Sequence, residues 1–190
     1  GVEPQSETNW RYADEGKVPR LCFINKMDRM GASFEKSFQS ILDRLSKSAV
    51  RFQIPIGLEE HHDGVIDLLR MKAYKFEGYM GEKVNEIEIT ADQMEEAKKY
   101  HHELVEKIVE HDDVQMQSYL EGKEIPFAEL QKTVRKAVIG NKMFPVFTGS
   151  ALKNKGVQLV LDAVVDYLPS PLEIPAVNGI DPRTSQPAVR

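Results

Sequence analysis

Two apolar runs, far apart in the sequence, end in the same way. LCFI stops at Asn25, Lys26 and Asp28, and MFPVFT stops at a glycine followed by Ser150, Ala151, Leu152 and Lys153. A short apolar run bounded by turn residues reads as a strand buried on both faces of a parallel sheet. Helical patterns flank the first run. Pro4 stands where a first turn can begin and Gly16 where it can stop. After the run, Ser33 can cap a helix that carries Phe34, Phe38, Ile41, Leu42 and Leu45 on one face. Helix, strand, helix is the grammar of an α/β sheet. In such sheets ligands bind beyond the carboxyl ends of the strands. If the two runs, from Val18 to Ile24 and from Met143 to Thr148, are neighbouring strands, their polar ends converge on one pocket.

Between them the pattern changes. Val50, Phe52, Ile54 and Ile56 alternate as in a half-buried strand, and Val65 to Phe76 and Val84 to Ile89 read as further strands joined by EGYMGE. Thr90 and Gln93 form a capping-box pattern before a helix with Met94, Ala97, His101, Leu104, Val105 and Ile108 on one stripe. A shorter helix is expected from Asp113 to Glu121, and another from Pro126 to Gly140. Strands followed by helices describe an α+β unit of its own. Val157 to Leu168 then reads as an apolar helix closed by Pro169 and Pro171, and the proline-rich tail shows no periodicity.

Composition limits the partners. The chain has 190 residues, 41% of them hydrophobic, enough for a core; 25 basic against 30 acidic residues leave a net charge of -5. That excludes broad coating of nucleic acid, which needs a basic field. The single cysteine, Cys22, lies inside an apolar run and is expected to be reduced and buried in a cytosolic protein. No stretch approaches the roughly 18 apolar residues of a membrane span.

The pocket at the two strand ends fits a guanine base. Asp28 offers two carboxylate oxygens, and guanine presents two adjacent N–H donors, so one carboxylate can accept both. Asn25 can reach the N7 side of the ring and also tie the two loops together. The aliphatic stem of Lys26 can lie on one ring face and Leu152 on the other. Ala151 can turn its backbone N–H toward the guanine oxygen. Adenine offers the wrong edge and leaves Asp28 unpaired, and sites built on such hydrogen bonds reject analogues by about 10⁴–10⁵.

GVEPQSET, FINKMDRMGA, IPIG, GVIDLLRMKA, GSALKNKGVQ and DAVVDYLPSP together resemble translation elongation factor G, a translational GTPase, along essentially the whole chain. The cluster of Asn25, Lys26 and Asp28 and that of Ser150, Ala151 and Leu152 are similar to the fourth and fifth motifs of GTPases. Leu152 stands where phenylalanine is also common. The resemblance implies an α/β fold: part of a P-loop GTPase-type, mostly parallel sheet with helices on both faces, interrupted by an α+β insert subdomain. It divides the chain into 1–45, the first part of the GTPase domain; 46–142, the insert; 143–169, the second part; and 170–190, a linker toward a further domain. The missing initial methionine and the loop-like ending lead us to expect an internal segment of a longer chain.

The resemblance also implies GTP and GDP as ligands, with Mg²⁺ held by residues outside this chain. The ribosome is the expected partner, met through its stalk protein by the insert's helical surfaces, and tRNA and mRNA are met by way of the ribosome. A cytoplasmic monomer without membrane contact is expected. A release-factor or ribosome-protection GTPase, and a protein-interaction module that binds no nucleotide, stay open as alternatives.

Other motifs are weaker. The chain contains no G-x-x-x-x-G-K-[ST] loop for phosphates, so GTP hydrolysis by this chain alone is not expected, and no catalytic residue is assigned within it. Asp28 to Gly31 happens to read D-x-x-G, but Asp28 is already assigned to the base. His102 to Glu106 resembles a zinc-protease helix but lacks the second histidine, and His61-His62-Asp63 has no ligand spacing that marks a metal site.

Overall fold

The computed structural model describes residues 1–173, 178–180 and 186–189. Pro4 takes the first position of α1 (Pro4–Glu15), where its missing N–H leaves no bond unmade. β1 (Cys22–Ile24) is shorter than the strand expected from Val18, because Val18 is exposed and Pro19 has no N–H to offer a ladder. The Ser33 hydroxyl accepts from the Lys36 N–H at 3.3 Å and caps α2 (Phe34–Arg44), whose Phe34, Phe38 and Ile41 point inward at the predicted spacing.

The stretch from Val50 to Ile56, expected as one alternating strand, is two strands of two sheets. β2 (Ala49–Arg51) and β3 (Gln53–Ile56) part at Phe52, whose N–H reaches the Val146 carbonyl at 3.0 Å while its own carbonyl takes the Leu68 N–H at 2.9 Å. Ala49, Val50, Phe52, Gln53 and Ile54 are all buried, so alternation gives way to cover on both faces. The expected run from Val65 to Phe76 is likewise broken, into β4 (Gly64–Asp67) and β5 (Lys72–Glu77). Asp67 makes the turn between them: its Oδ1 accepts from the N–H groups of Leu69 and Arg70, at 2.9 and 2.8 Å. β6 (Lys83–Ile87) completes an antiparallel sheet in the order β3-β4-β5-β6.

α3 (Ala91–Val109) begins at Thr90, but the capping box does not close on the backbone; the Thr90 hydroxyl donates to the Gln93 side-chain oxygen at 2.9 Å instead. α4 (Asp113–Leu120) is capped by Asp112, and α5 (Phe127–Ile139) follows it. β7 (Phe144–Thr148) then returns the chain to the first sheet, parallel to and between β1 and β2. β2 therefore pairs with β7 although it lies within the range expected for the insert. α6 (Val157–Tyr167) comes next. In the tail, where the sequence shows no periodicity, β8 (Asn178–Ile180) and β9 (Pro187–Val189) pair antiparallel; residues 174–177, 181–185 and 190 of that segment lie outside the described ones. One apolar cluster, from Val2 to Tyr167, joins both larger sheets.

Two arginines, one between β4 and β5 and one on α5, reach α6. The Arg70 guanidinium reaches the carboxylates of Asp67 (3.3 Å) and Asp166 (3.5 Å), and Arg135 donates to the carbonyls of Val165 (3.2 Å) and Asp166 (2.8 Å). Burial pushes the Asp67 carboxyl above its ordinary 3.8, against the pull of the Arg70 and Leu69 donors. A carboxyl whose pKa rises on folding favours the fold while protonated, and that contribution is lost as pH climbs from below 3.8 through the raised value. Asp67→Ala orphans one buried N–H group, that of Leu69, and one partly buried, that of Arg70, and is expected to lose about 2–3 kcal/mol. Asp67→Asn keeps an acceptor and cannot ionise, so it should stay within about 1 kcal/mol of wild type and gain on it as pH rises. Urea unfolding at acid and neutral pH measures both.

Candidate nucleotide-base site

The register of the parallel sheet builds the site. Ile24 stands opposite Thr148, so the segments after β1 and β7 leave the sheet side by side. The ladder then continues beyond the strands: Gly149 N–H donates to the Ile24 carbonyl and Met27 N–H to the Gly149 carbonyl, each at 3.1 Å. Met27 is buried to 1% exposure and anchors its loop in the core. Its neighbours Lys26 and Asp28 are exposed and half-buried, so Met27 alone of the three is turned into the core.

Asn25 joins the two loops. Its Oδ1 accepts from the Lys26 N–H at 2.7 Å and from the Ala151 N–H at 2.9 Å, across 126 residues of sequence. The loop-tying role expected of Asn25 is thus a direct bond, and it engages the same Ala151 N–H that was expected to face the base. Lys26 takes a left-handed backbone conformation, φ 66°, which turns the chain sharply between Asn25 and Met27.

Ser150 is buried to 1% exposure, and its hydroxyl is the main cause that holds the Asp28 carboxyl below its ordinary range, with the charges of Lys153 and Arg29 adding to it. Ser150 and Lys155 exchange two backbone bonds, both 2.9 Å, which pinch Ala151 to Asn154 into a tight loop; the Ser150 Oγ also accepts from the Lys153 N–H at 3.4 Å. Leu152 rides on that loop with 72% of its surface exposed. Asn25, Asp28, Ser150 and Ala151 are therefore brought together at one rim, with Lys26 and Leu152 as exposed side chains beside it. A cleft of about 730 Å³ runs along the outer edge of β1, from Val2 and Trp10 to Asn25 and Lys26.

Sequence reasoning passed over three residues that shape this rim. Gly149 lets the loop pass close to Lys155, Lys155 reaches across to the carbonyl of His62, and Glu59 contacts the first loop. Gly149 and Lys155 lie within the GSALKNKGVQ stretch but had no role assigned there, and Glu59 belongs to no recognisable motif; only the packed structure brings it near. The histidine clusters lie elsewhere in role. His62 is fully buried with no hydrogen-bond partner on either ring nitrogen, and burial pulls its pKa down. His102 packs on Tyr119 with ring centroids 5.6 Å apart.

Residues 1–170 match the elongation factor Tu GTP-binding domain, and the chain belongs to that family. Within it, the chain is 50% identical over 183 residues to elongation factor G 1 of Bdellovibrio bacteriovorus, a match that spans 96% of this chain and 26% of that protein. The chain thus covers about a quarter of the length of its curated relative. The fold matches a crystal structure of a protein from Thermus thermophilus with a TM-score of 0.82 at 26% identity, covering 100% of this chain and 30% of that one. The family that the motifs resemble and the family that the comparisons find are in agreement. Among the described residues no helix is long and apolar enough to cross a membrane.

Proposed function

We propose that this chain selects the base of GTP and GDP within a ribosome-dependent translational GTPase of the elongation factor G type, one that promotes movement of tRNA and mRNA through the ribosome. The observation that carries this reading is the double bond-taking of Asn25 Oδ1, which sets Asp28 and Ser150 on one rim. Asp28 accepts from the two N–H groups of guanine. Asn25 meets the N7 side, Ala151 lines the oxygen side, and Lys26 and Leu152 cover the ring faces. Ser150 orients Asp28 and keeps it ionised.

Phosphate and Mg²⁺ fall to residues outside this chain, which has no phosphate-binding loop. The chain alone is accordingly expected to turn over no GTP. We assign 1–52 and 143–169 to the nucleotide-binding unit, because β2 pairs with β7, and 53–142 to the insert. The insert's helical face is the surface we assign to the ribosomal stalk protein, in a cytoplasmic monomer, with the segment from 170 leading toward a further domain. Labelled GDP bound to the full-length protein should be displaced by GTP and GDP, while ADP should need on the order of 10⁴-fold more. Displacement by ADP at equal concentration would overturn the reading.

A further inference from the structure

Both base loops rest on one turn of the insert. Residues 57–63 connect β3 to β4, and Glu59 in that turn touches the first loop twice. Its N–H donates to the Met27 carbonyl at 3.2 Å, and its Oε1 accepts from the Gly31 N–H at 2.7 Å. Met27 and Gly31 bracket Asp28, so one residue of the insert holds the backbone on either side of the base-reading carboxylate. The second loop is held by the same turn: Lys155, two-bonded to Ser150, extends its Nζ to the His62 carbonyl.

The turn is a specific shape rather than slack. Glu59 itself sits in the left-handed region, φ 54°, which a residue with a side chain adopts only where its surroundings insist. Gly57 has φ 72°, and a Cβ there would lie 2.0 Å from the His61 carbonyl oxygen. The fully buried His62 side chain pins the end of the turn. Beyond the buried Met27, the segment it braces lies at the surface. Arg29 and Met30 are exposed, and a Cβ added to Gly31 would meet nothing within 4 Å.

We propose that Glu59 is a positioning residue for base recognition: by gripping Met27 and Gly31 it fixes the direction of Asp28, and so sets how tightly and how selectively the purine is held. This rests on the base-site reading above. A two-point contact is sensitive to small misalignment, since both donors must meet both oxygens at once. The grip also makes the insert part of the base site.

The test is made on the full-length protein with fluorescent GDP. It reads the dissociation rate and the preference for GDP over inosine diphosphate, which lacks the amino group that Asp28 reads. Glu59→Ala should speed dissociation about tenfold, in line with loss of a charge-assisted hydrogen bond, and should shrink the preference for GDP. Glu59→Gln keeps an oxygen for the Gly31 N–H and should restore both to within about threefold. If the effect came only from removing a negative charge near Asp28, Glu59→Gln would behave like Glu59→Ala, and the proposal would fall. It also falls if Glu59→Ala leaves both rate and preference unchanged. Should Glu59→Ala not fold, Glu59→Asp, a methylene too short for Gly31, carries the same expectation. A wild-type protein with no preference for GDP over inosine diphosphate overturns the base-site reading itself, whereas a wild-type preference untouched by the Glu59 variants overturns only this inference.

Discussion

In the full-length protein, Asp28→Asn is expected to weaken GDP binding by about 10²–10³-fold and to make xanthosine diphosphate the better ligand. In the proposed site the carboxylate accepts two hydrogen bonds from guanine, and charge-assisted bonds contribute about 1.5–3 kcal/mol each. An amide presents one acceptor and one donor, so its NH₂ faces a guanine N–H with nothing to accept. Xanthine carries an oxygen at that position and accepts from the new donor. Competition between the two diphosphates measures the exchange; an unchanged preference for guanine would remove Asp28 from the role assigned to it. The pH dependence follows with a definite sign. Ser150 holds the folded pKa of Asp28 below 3.8, so the ionised form is present above that value and is lost only as pH falls through the lowered pKa. Binding by the wild type should therefore be flat, as far as Asp28 is concerned, between about pH 5 and pH 8.

Parts of the structure that follow local rules were legible in the sequence. Ser33 caps a helix because its hydroxyl serves an N–H three residues on, and Phe34, Phe38 and Ile41 share a face because a helix repeats every 3.6 residues. The convergence of the candidate site's residues was legible because they sit at the ends of two apolar runs, and the parallel pairing of Ile24 with Thr148 brings those ends together. What escaped notice depends on partners distant in sequence. The change of sheet at Phe52 is fixed by Val146 and Leu68, and no local pattern marks it. The turn at Asp67 looked like continuous strand because its signal is a buried carboxylate serving two backbone donors within an apolar run. Thr90 and Gln93 have the right identities for a capping box yet bond to each other, which their spacing alone could not reveal. Glu59 reads as one more acid in a polar loop until Gly31 is placed beside it.

The second large effect is expected at Gly149, and it separates space from backbone conformation. An alanine Cβ there would lie 2.1 Å from the Lys155 carbonyl oxygen and 3.1 Å from the Phe23 ring. The oxygen is backbone, and it is already the acceptor for the Ser150 N–H, so it cannot swing aside as a side chain does. Gly149 cannot retreat either, because its own N–H and carbonyl bond Ile24 and Met27 and extend the ladder between β1 and β7. Relief must break one of these pairs, and each lies in the loops that form the proposed base site. Gly149→Ala is expected to cost about 3 kcal/mol and to weaken GDP binding as well. Gly31→Ala is the matched comparison: it has open space but φ 78°, so it carries only the conformational cost of about 1 kcal/mol. Denaturant unfolding of both variants tests the order. Equal losses would mean that the loop after β7 yields more easily than its bonds to β1 and Lys155 imply, and that the close approach at Gly149 does not hold the base site together.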